Sequence, residues 1–352
     1  MVKLLITGGT GFIGSHTSLV LLEKGYDLII LDSFKNSSPE ILKRISKILK
    51  LDNEQFLKRV TLIKGDIRDQ NLVEKVFSHE RSKGEVIEAV IHFAGLKAVG
   101  ESVTKPIEYW DVNVSGTINI LNIMQKYSCY KFVFSSSATL YGEPEYIPIK
   151  ENSLIKPVNP YGKSKAAVET FLDDLSKSQP DLWKIISLRY FNPVAAHSSG
   201  LIGEDPIGTP NNLFPYICQV GVKRRSELNI FGSDWPTSDG TCIRDYIHVM
   251  DLAEGHVSAL DYLMHGKSCF LKLNLGTGKG VSVLEVLNTM NLVSGLKINH
   301  KFVERRKGDV CETVADPKLA EEILKWKAER DLVEMCKDAW NWQVNNPLGI
   351  RD

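Results

Sequence analysis

At 352 residues the chain is long enough for about two domains. Lysine plus arginine equals aspartate plus glutamate at 43 each, so the formal net charge is zero. That balance gives no electrostatic footprint for nucleic acid or an anionic membrane surface, and an anionic ligand has to be met by a few local charges. The first half alternates short β-rich runs with amphipathic stretches, the pattern of a parallel sheet flanked by helices. In chain order the pattern predicts a strand at 3–7, a helix at 15–24 and a strand at 27–31. A Lys-, Leu- and Ile-rich helical stretch follows at 40–57, then a strand at 60–64 and a helix at 71–78. The series continues with a strand at 89–93, a helix at 107–127, a strand at 131–135, a helix at 160–178 and a strand at 185–190. After about Asn192, Gly, Pro and Asn become dense, and short elements are separated by long loops. The predicted fold class is α/β: a Rossmann-type doubly wound parallel sheet over residues 1–189 with a smaller C-terminal α+β substrate domain over 190–352. The chain is free to cross between the two more than once. Ligands in open parallel sheets sit at the carboxyl ends of the strands, so the cleft there is the expected site.

The first strand runs into Gly8-Gly9-Thr10-Gly11-Phe12-Ile13-Gly14 and then a helix. Gly8, Gly11 and Gly14 give G-x-x-G-x-x-G, which lets the backbone approach a pyrophosphate, and the helix start aims free amides at it. A glycine-rich turn without a ligand would look the same in isolation, so the context matters. Asp32 ends the second strand about 20 residues on, where a carboxylate accepts from both ribose hydroxyls. It would repel a 2′-phosphate, which favours NAD over NADP. Asp66-Ile67 follows the third strand and Phe93-Ala94-Gly95 ends the fourth. Features at four consecutive strand ends point to a dinucleotide.

Tyr161 and Lys165 form Tyr-x-x-x-Lys just after Asn159-Pro160. Proline at the first helical position starts a helix, and residues four apart share a face. A free phenol ionises near ~10, and lowering that toward ~7 takes about 4 kcal/mol of preference for the phenolate. A Lys165 ammonium and an oxidised nicotinamide ring would supply it, making Tyr161 an acid/base for a sugar hydroxyl. Tyr-x-x-x-Lys is common on surface helices. Its partner is Ser135-Ser136-Ser137-Ala138-Thr139 at the end of the fifth strand, where the Rossmann rule places a reaction centre.

The cysteines at 129, 218, 242, 269, 311 and 336 show no pair at zinc-knuckle or redox-motif spacing, and histidines are scattered, so no metal is expected. Scattered thiols, the lack of a signal-peptide pattern in 1–7 and the lack of a membrane-length apolar run predict a cytoplasmic protein without a membrane partner.

At these residues the chain resembles the extended short-chain dehydrogenase/reductase family, and within it the branch that epimerises UDP-hexoses at C4. The similarity runs over essentially the whole length, through residues 7–16, 92–102, 134–139, 161–165, 189–194, 203–215, 239–251 and 305–309. The resemblance implies interconversion of UDP-galactose and UDP-glucose through a transient 4-keto sugar with bound NAD, in galactose metabolism. It implies Ser137, Tyr161 and Lys165 as catalytic residues. Around NAD it places Gly8, Gly11, Phe12, Ile13, Gly14, Asp32, Ser33, Phe34, Asn36, Ser37, Asp66, Ile67, Phe93, Ala94, Gly95, Lys97, Lys165 and Tyr190. Around the UDP-sugar it places Lys97, Ser137, Tyr161, Asn192, Asn212, Leu213, Asn229, Ile230, Phe231, Arg244, Arg306 and Asp309. Two arginines suit a diphosphate, and Phe231 suits a wall for uracil. It also implies a homodimer that pairs two helices from each subunit, with 107–127 and 160–178 as candidates.

The chain departs from the family pattern at five places. Trp235 precedes Pro236 where Tyr is familiar, Ala195 and Cys242 replace common glycines, and Val112 stands where some relatives carry an Asn, with Asn113 next to it. Thr313 falls where side-chain size limits the sugar pocket, which leaves N-acetylated UDP-sugars open as substrates. Two other readings compete. One is another nucleotide-sugar enzyme of the same scaffold, a 4,6-dehydratase or decarboxylase; a dehydratase needs an Asp-Glu pair after the fifth strand's Ser or Thr, whereas Ala138-Thr139 follow Ser137 here. A redox-sensing regulator commonly loses the tyrosine or lysine, and both are present.

Overall fold

The computed structural model describes residues 2–306 and 308–350. The chain begins β1 (Lys3–Thr7), α1 (Phe12–Glu23), β2 (Asp27–Asp32), α2 (Glu40–Ile48), α3 (Asn53–Arg59), β3 (Val60–Lys64) and α4 (Gln70–Ser82). It continues β4 (Ile87–His92), α5 (Val99–Thr104), α6 (Pro106–Trp110), a π turn (Asp111–Ser115), α7 (Gly116–Lys126), β5 (Lys131–Ser137), a 3-10 turn (Ala138–Tyr141) and α8 (Pro160–Ser178). Then come β6 (Lys184–Tyr190), β7 (Asn192–Val194), α9 (Leu213–Gly221), β8 (Leu228–Phe231), β9 (Ile243–Arg244), β10 (Tyr246–His248) and α10 (Val249–His265). The last stretch is β11 (Cys269–Leu275), β12 (Val281–Ser282), α11 (Val283–Ser294), β13 (His300–Val303), β14 (Glu312–Thr313), α12 (Lys318–Leu324) and α13 (Leu332–Asn345).

Seven strands in the order β11-β6-β5-β4-β1-β2-β3 form one parallel sheet, the Rossmann-type arrangement expected from the sequence. Period-two alternation sends neighbouring side chains to opposite faces. Leu4, Ile6, Leu28 and Ile30 join residues of α1, α2 and α10 in one core. Leu5, Ile29, Val90 and Phe132 join residues of α4, α7 and α8 in the other. Both faces are covered, which is why these strands read as nearly continuous apolar runs.

Three differences from the sequence reading have local causes. The stretch at 40–57 is two helices: Lys50 turns left-handed at φ 53°, and Asp52 restarts the chain with a capping box to Gln55. The stretch at 107–127 is one helical rod carrying the π turn at 111–115. The sheet also gains β11 from beyond residue 190, with α10 packed on α1. Residues 249–275 thus return to the large sheet, while β8, α9, α11 and α13 build a separate small core around Phe214, Ile217, Leu287 and Met335. Ala195, where glycine is common, sits at φ 73°, a conformation that costs a residue with a Cβ about 1 kcal/mol.

Candidate active site

The loop between β1 and α1 is packed backbone to backbone. A Cβ on Gly8, at φ 71°, would lie 2.7 Å from Ala94 N, and one on Gly14 would lie 2.3 Å from the Gly8 carbonyl oxygen. Gly11 caps α1 without any side-chain bond, and no acidic residue occupies the first turn. The first amides of α1, including Phe12 and Ile13, therefore lack intrahelical acceptors and carry the positive end of the helix dipole. At the end of β2 the Asp32 carboxylate is held by Thr10 N (3.0 Å), Phe34 N (3.0 Å) and Ser37 Oγ (2.9 Å). Ser33 and Asn36 are exposed on the same rim. A dinucleotide fits this donor set, with pyrophosphate at the helix start and ribose at Asp32.

The other cofactor candidates divide. Asp66 is held by Arg68 through Nε and Nη2, which keeps its carboxyl below the usual range. The Ile67 side chain is buried in the core under α7, so only its backbone is open to a ligand, and its carbonyl already accepts from Asn119. Tyr190 is buried, and its hydroxyl is engaged by His256 and Ser135. Phe93 packs on the same His256 at 4.8 Å between rings. Gly95 lies where a Cβ would come 3.1 Å from Asn113 Oδ1 and 3.7 Å from Lys165 Nζ. Asn113 was not singled out as a site residue. It is buried, accepts from Leu96 N (2.8 Å), and donates to Leu96 O (3.0 Å) and Ser164 Oγ (3.0 Å).

Asn159 starts α8 by accepting from Gly162 N at 2.9 Å, with Pro160 in the first turn. This fixes Tyr161 and Lys165 one turn apart above the end of β5. Tyr161 is half-buried. Burial raises its phenol above the ordinary value, and the Ser137 hydroxyl and the Lys97 charge work against that rise. Lys165 Nζ donates to the Ser135 carbonyl oxygen (2.7 Å) and lies 4.8 Å from the centre of the Phe134 ring. Burial brings its ammonium down to about 8, with Glu169 opposing. Ser137 Oγ is 2.9 Å from Thr139 Oγ1 and accepts from Thr139 N.

Toward the smaller half, Lys97 pairs with Glu204 (3.0 Å), which also accepts from Asn212 Nδ2 (2.7 Å). Glu204 joins two predicted ligand residues and was itself missed. Leu213 opens α9. Asn192 stands on β7, its amide bonded to the Asp245 carbonyl. Asn229 and Ile230 lie on β8, and Asn229 Oδ1 is buried without a partner. Arg306 spans from Asp309 (2.8 Å) to the half-open face of Phe231, 5.4 Å from its ring centre. Arg244 Nη1 donates to the Ile243 carbonyl (2.7 Å), and Trp235 is held by Phe231 O and by Arg305 over its ring. The buried Asp245 carboxylate gathers Thr277 N, Gly278 N and Ala315 N beneath this region.

A doubly wound parallel sheet with a dinucleotide cradle, Ser137 ending β5 and Tyr161 and Lys165 on α8 above it defines an enzyme of the short-chain dehydrogenase/reductase type. The profile of the family described as GDP-mannose 4,6 dehydratase matches residues 5–339. A UDP-glucose 4-epimerase from Pasteurella multocida is 50% identical over all of both chains. A bifunctional UDP-glucose 4-epimerase and UDP-xylose 4-epimerase from Pisum sativum is 50% identical, covering 99% of this chain and 97% of its own. The crystal structure of UDP-glucose 4-epimerase from Bifidobacterium longum in complex with NAD+ and UDP superposes with a TM-score of 0.92 at 46% identity, covering 99% of this chain and 100% of that one. The chain belongs to the UDP-glucose 4-epimerase family.

Proposed function

We propose that this chain interconverts UDP-galactose and UDP-glucose, with NAD held on residues 1–189 and the UDP-sugar on residues 190–352. The observation that carries the reading is the position of Tyr161: half-buried on α8, faced by Ser137 from β5 and by the charge of Lys97. When bound, NAD+ supplies an acceptor for hydride from C4 and then the donor that returns it, on a ring that carries positive charge. Phe12 and Ile13 amides, Asp32 and Lys165 are the groups that would hold it. Tyr161 takes the C4 hydroxyl proton and later gives it back. Ser137 orients that hydroxyl, and its own hydrogen bonds to Thr139 restrict where it points. Arg244, Arg306, Asn229 and Phe231 anchor the UDP moiety, which leaves the hexose free to present either face. No carboxylate follows Ser137 in the 3-10 turn Ala138–Tyr141, which favours epimerisation over elimination.

Replacing Tyr161 with Phe tests the reading. A lost general acid/base lowers kcat by about 10²–10⁴-fold, with UDP affinity retained. Turnover of UDP-galactose at the wild-type rate would reject it.

Two extensions belong to the same proposal. N-acetylated UDP-hexoses are further substrates, since medium-sized Thr313 stands beside Arg244 in the β14–β9 register. The chain acts as a homodimer that pairs the helical stretch 107–127 and α8, and the α5–α6 segment leads into that stretch. Val103, Ile107 and Trp110 are exposed there, a run of apolar side chains that a second copy would cover. Sedimentation as a monomer at micromolar concentration would reject that assembly. No helix among the described residues is long and apolar enough to cross a membrane.

A further inference from the structure

The end of β5 is gripped by α8 at three successive residues. Ser137 faces Tyr161, the Ser135 carbonyl takes the Lys165 ammonium, and Ser136 Oγ donates to Glu169 Oε1 at 2.6 Å. Tyr161, Lys165 and Glu169 are spaced by four and lie on one helical face. The third grip contains a buried ion pair. Arg189, opposite Ser136 on β6, donates through Nε (3.0 Å) and Nη2 (2.6 Å) to the two oxygens of Glu169. Side-chain exposures are 2% for Arg189 and 7% for Glu169. Arg189 Nη1 also donates to Tyr141 Oη and to the Glu151 carbonyl, both at 2.8 Å, and Tyr141 Oη donates to Asn274 Oδ1 at 2.7 Å on β11. The network thus ties β5, β6, β11 and the 3-10 turn after Ser137 into one frame. A buried pair of this kind contributes little net stability compared with apolar side chains of the same volume. Its location, one helical turn past Lys165 and one residue before Ser137, calls for another role.

We propose that Glu169 is a positioning residue for this reaction: together with Arg189 it fixes the end of β5 and holds the charge on Lys165. This inference rests on the epimerase reading above. The titratable and charged groups around the pair are few. Lys165 is faced by His92 from β4 and by Glu169 from its own helix. Burial brings His92 down to about 3, so it stays neutral. Glu169 is faced by Arg189 from β6, Tyr141 from the 3-10 turn and Lys165. Among these, the Glu169 carboxylate is the negative group acting on Lys165, and it works against the burial that favours the neutral amine.

The sign of the effect follows. Glu169→Gln keeps an oxygen for Arg189 and Ser136 but removes the charge. Lys165 then gives up its proton at lower pH, and the alkaline limb of kcat moves down by about one pH unit. With UDP-galactose, kcat at pH 6.5 is expected within about three-fold of wild type, and at pH 8.5 about ten-fold lower. KM is expected to change by less than about two-fold, because Glu169 touches no substrate group. Glu169→Gln leaves the buried Arg189 without a counter-charge, so the double variant Glu169→Gln/Arg189→Met is measured beside it. It recovers the thermal midpoint and keeps the lowered limb. The Lys165 titration is followed in the same full-length proteins by 13C NMR of ε-labelled lysine, assigned with Lys165→Met. That titration moves down whether or not the chain turns over UDP-hexoses. Wild-type protein without epimerase activity would overturn the function, and an unmoved Lys165 titration would overturn the role of Glu169. A kcat loss of equal size at every pH, reversed in the double variant, would show a merely structural pair and also overturn it.

Discussion

Replacing Lys165 with Met should make the nucleotide-free protein more stable while abolishing epimerisation. Lys165 is 5% exposed, and burial lowers its ammonium from 10.5 to about 8. A lysine depressed on folding holds its proton less tightly in the folded chain than in the unfolded one. Below about 8 both states are charged and the full cost of burying the charge is present. At about 1.4 kcal/mol per pH unit the gap comes to ~3 kcal/mol. As pH rises from about 8 toward 10.5 the folded chain sheds the proton first, and stability on account of this group rises. Methionine removes the charge but forfeits the 2.7 Å bond to the Ser135 carbonyl, worth ~1 kcal/mol. The expected net gain at pH 7 is ~2 kcal/mol. At pH 10 most of the cost has already vanished from the wild type, and the two proteins should have equal stability. Urea denaturation followed by tryptophan fluorescence at both pH values measures this. No gain at pH 7, or the same gain at pH 10, would refute the reasoning that Lys165 is a buried charge kept for function at the expense of stability.

Two further outcomes follow from the residues proposed to hold the UDP-sugar. Arg306→Ala should raise the calorimetric Kd for UDP about ten-fold, the loss of one charge-assisted contact, with kcat at saturation within about three-fold of wild type; an unchanged Kd would remove Arg306 from the diphosphate site. Thr313→Tyr should reduce turnover of UDP-GlcNAc far more than that of UDP-galactose; no detectable UDP-GlcNAc turnover by the wild-type chain would withdraw the N-acetyl substrate.

The strands at 3–7 and 60–64 and the helix at 160–178 were legible to the residue, because apolar alternation and the Asn159-Pro160 start are local signals. β11 was not legible as a member of the large sheet. Its alternating sequence Cys269–Leu275 suits a strand, but nothing local says that it pairs with β6, 85 residues earlier in register. Asn113 was passed over because a π turn has no clear sequence mark, and the reading turned on its neighbour Val112. The tyrosine–lysine motif was legible, but the bond from the Lys165 ammonium to the Ser135 carbonyl was not, because motif spacing is blind to backbone groups. Lys97 acting on Tyr161, and Glu204 joining Lys97 to Asn212, depend on contacts between distant segments. Charge type alone could have flagged Glu204 only if the fold were already known.

The late arrival of β11 bears on how the protein is made. On the ribosome, β6 emerges with its outer edge open and stays so until residue 275 has been synthesised. Throughout that interval a run of unpaired amides and carbonyls, flanked by Ile185, Ile186 and Leu188, is available to a neighbouring nascent chain. A fragment cut at residue 190 would carry that open edge permanently, a template on which a second such fragment could pair.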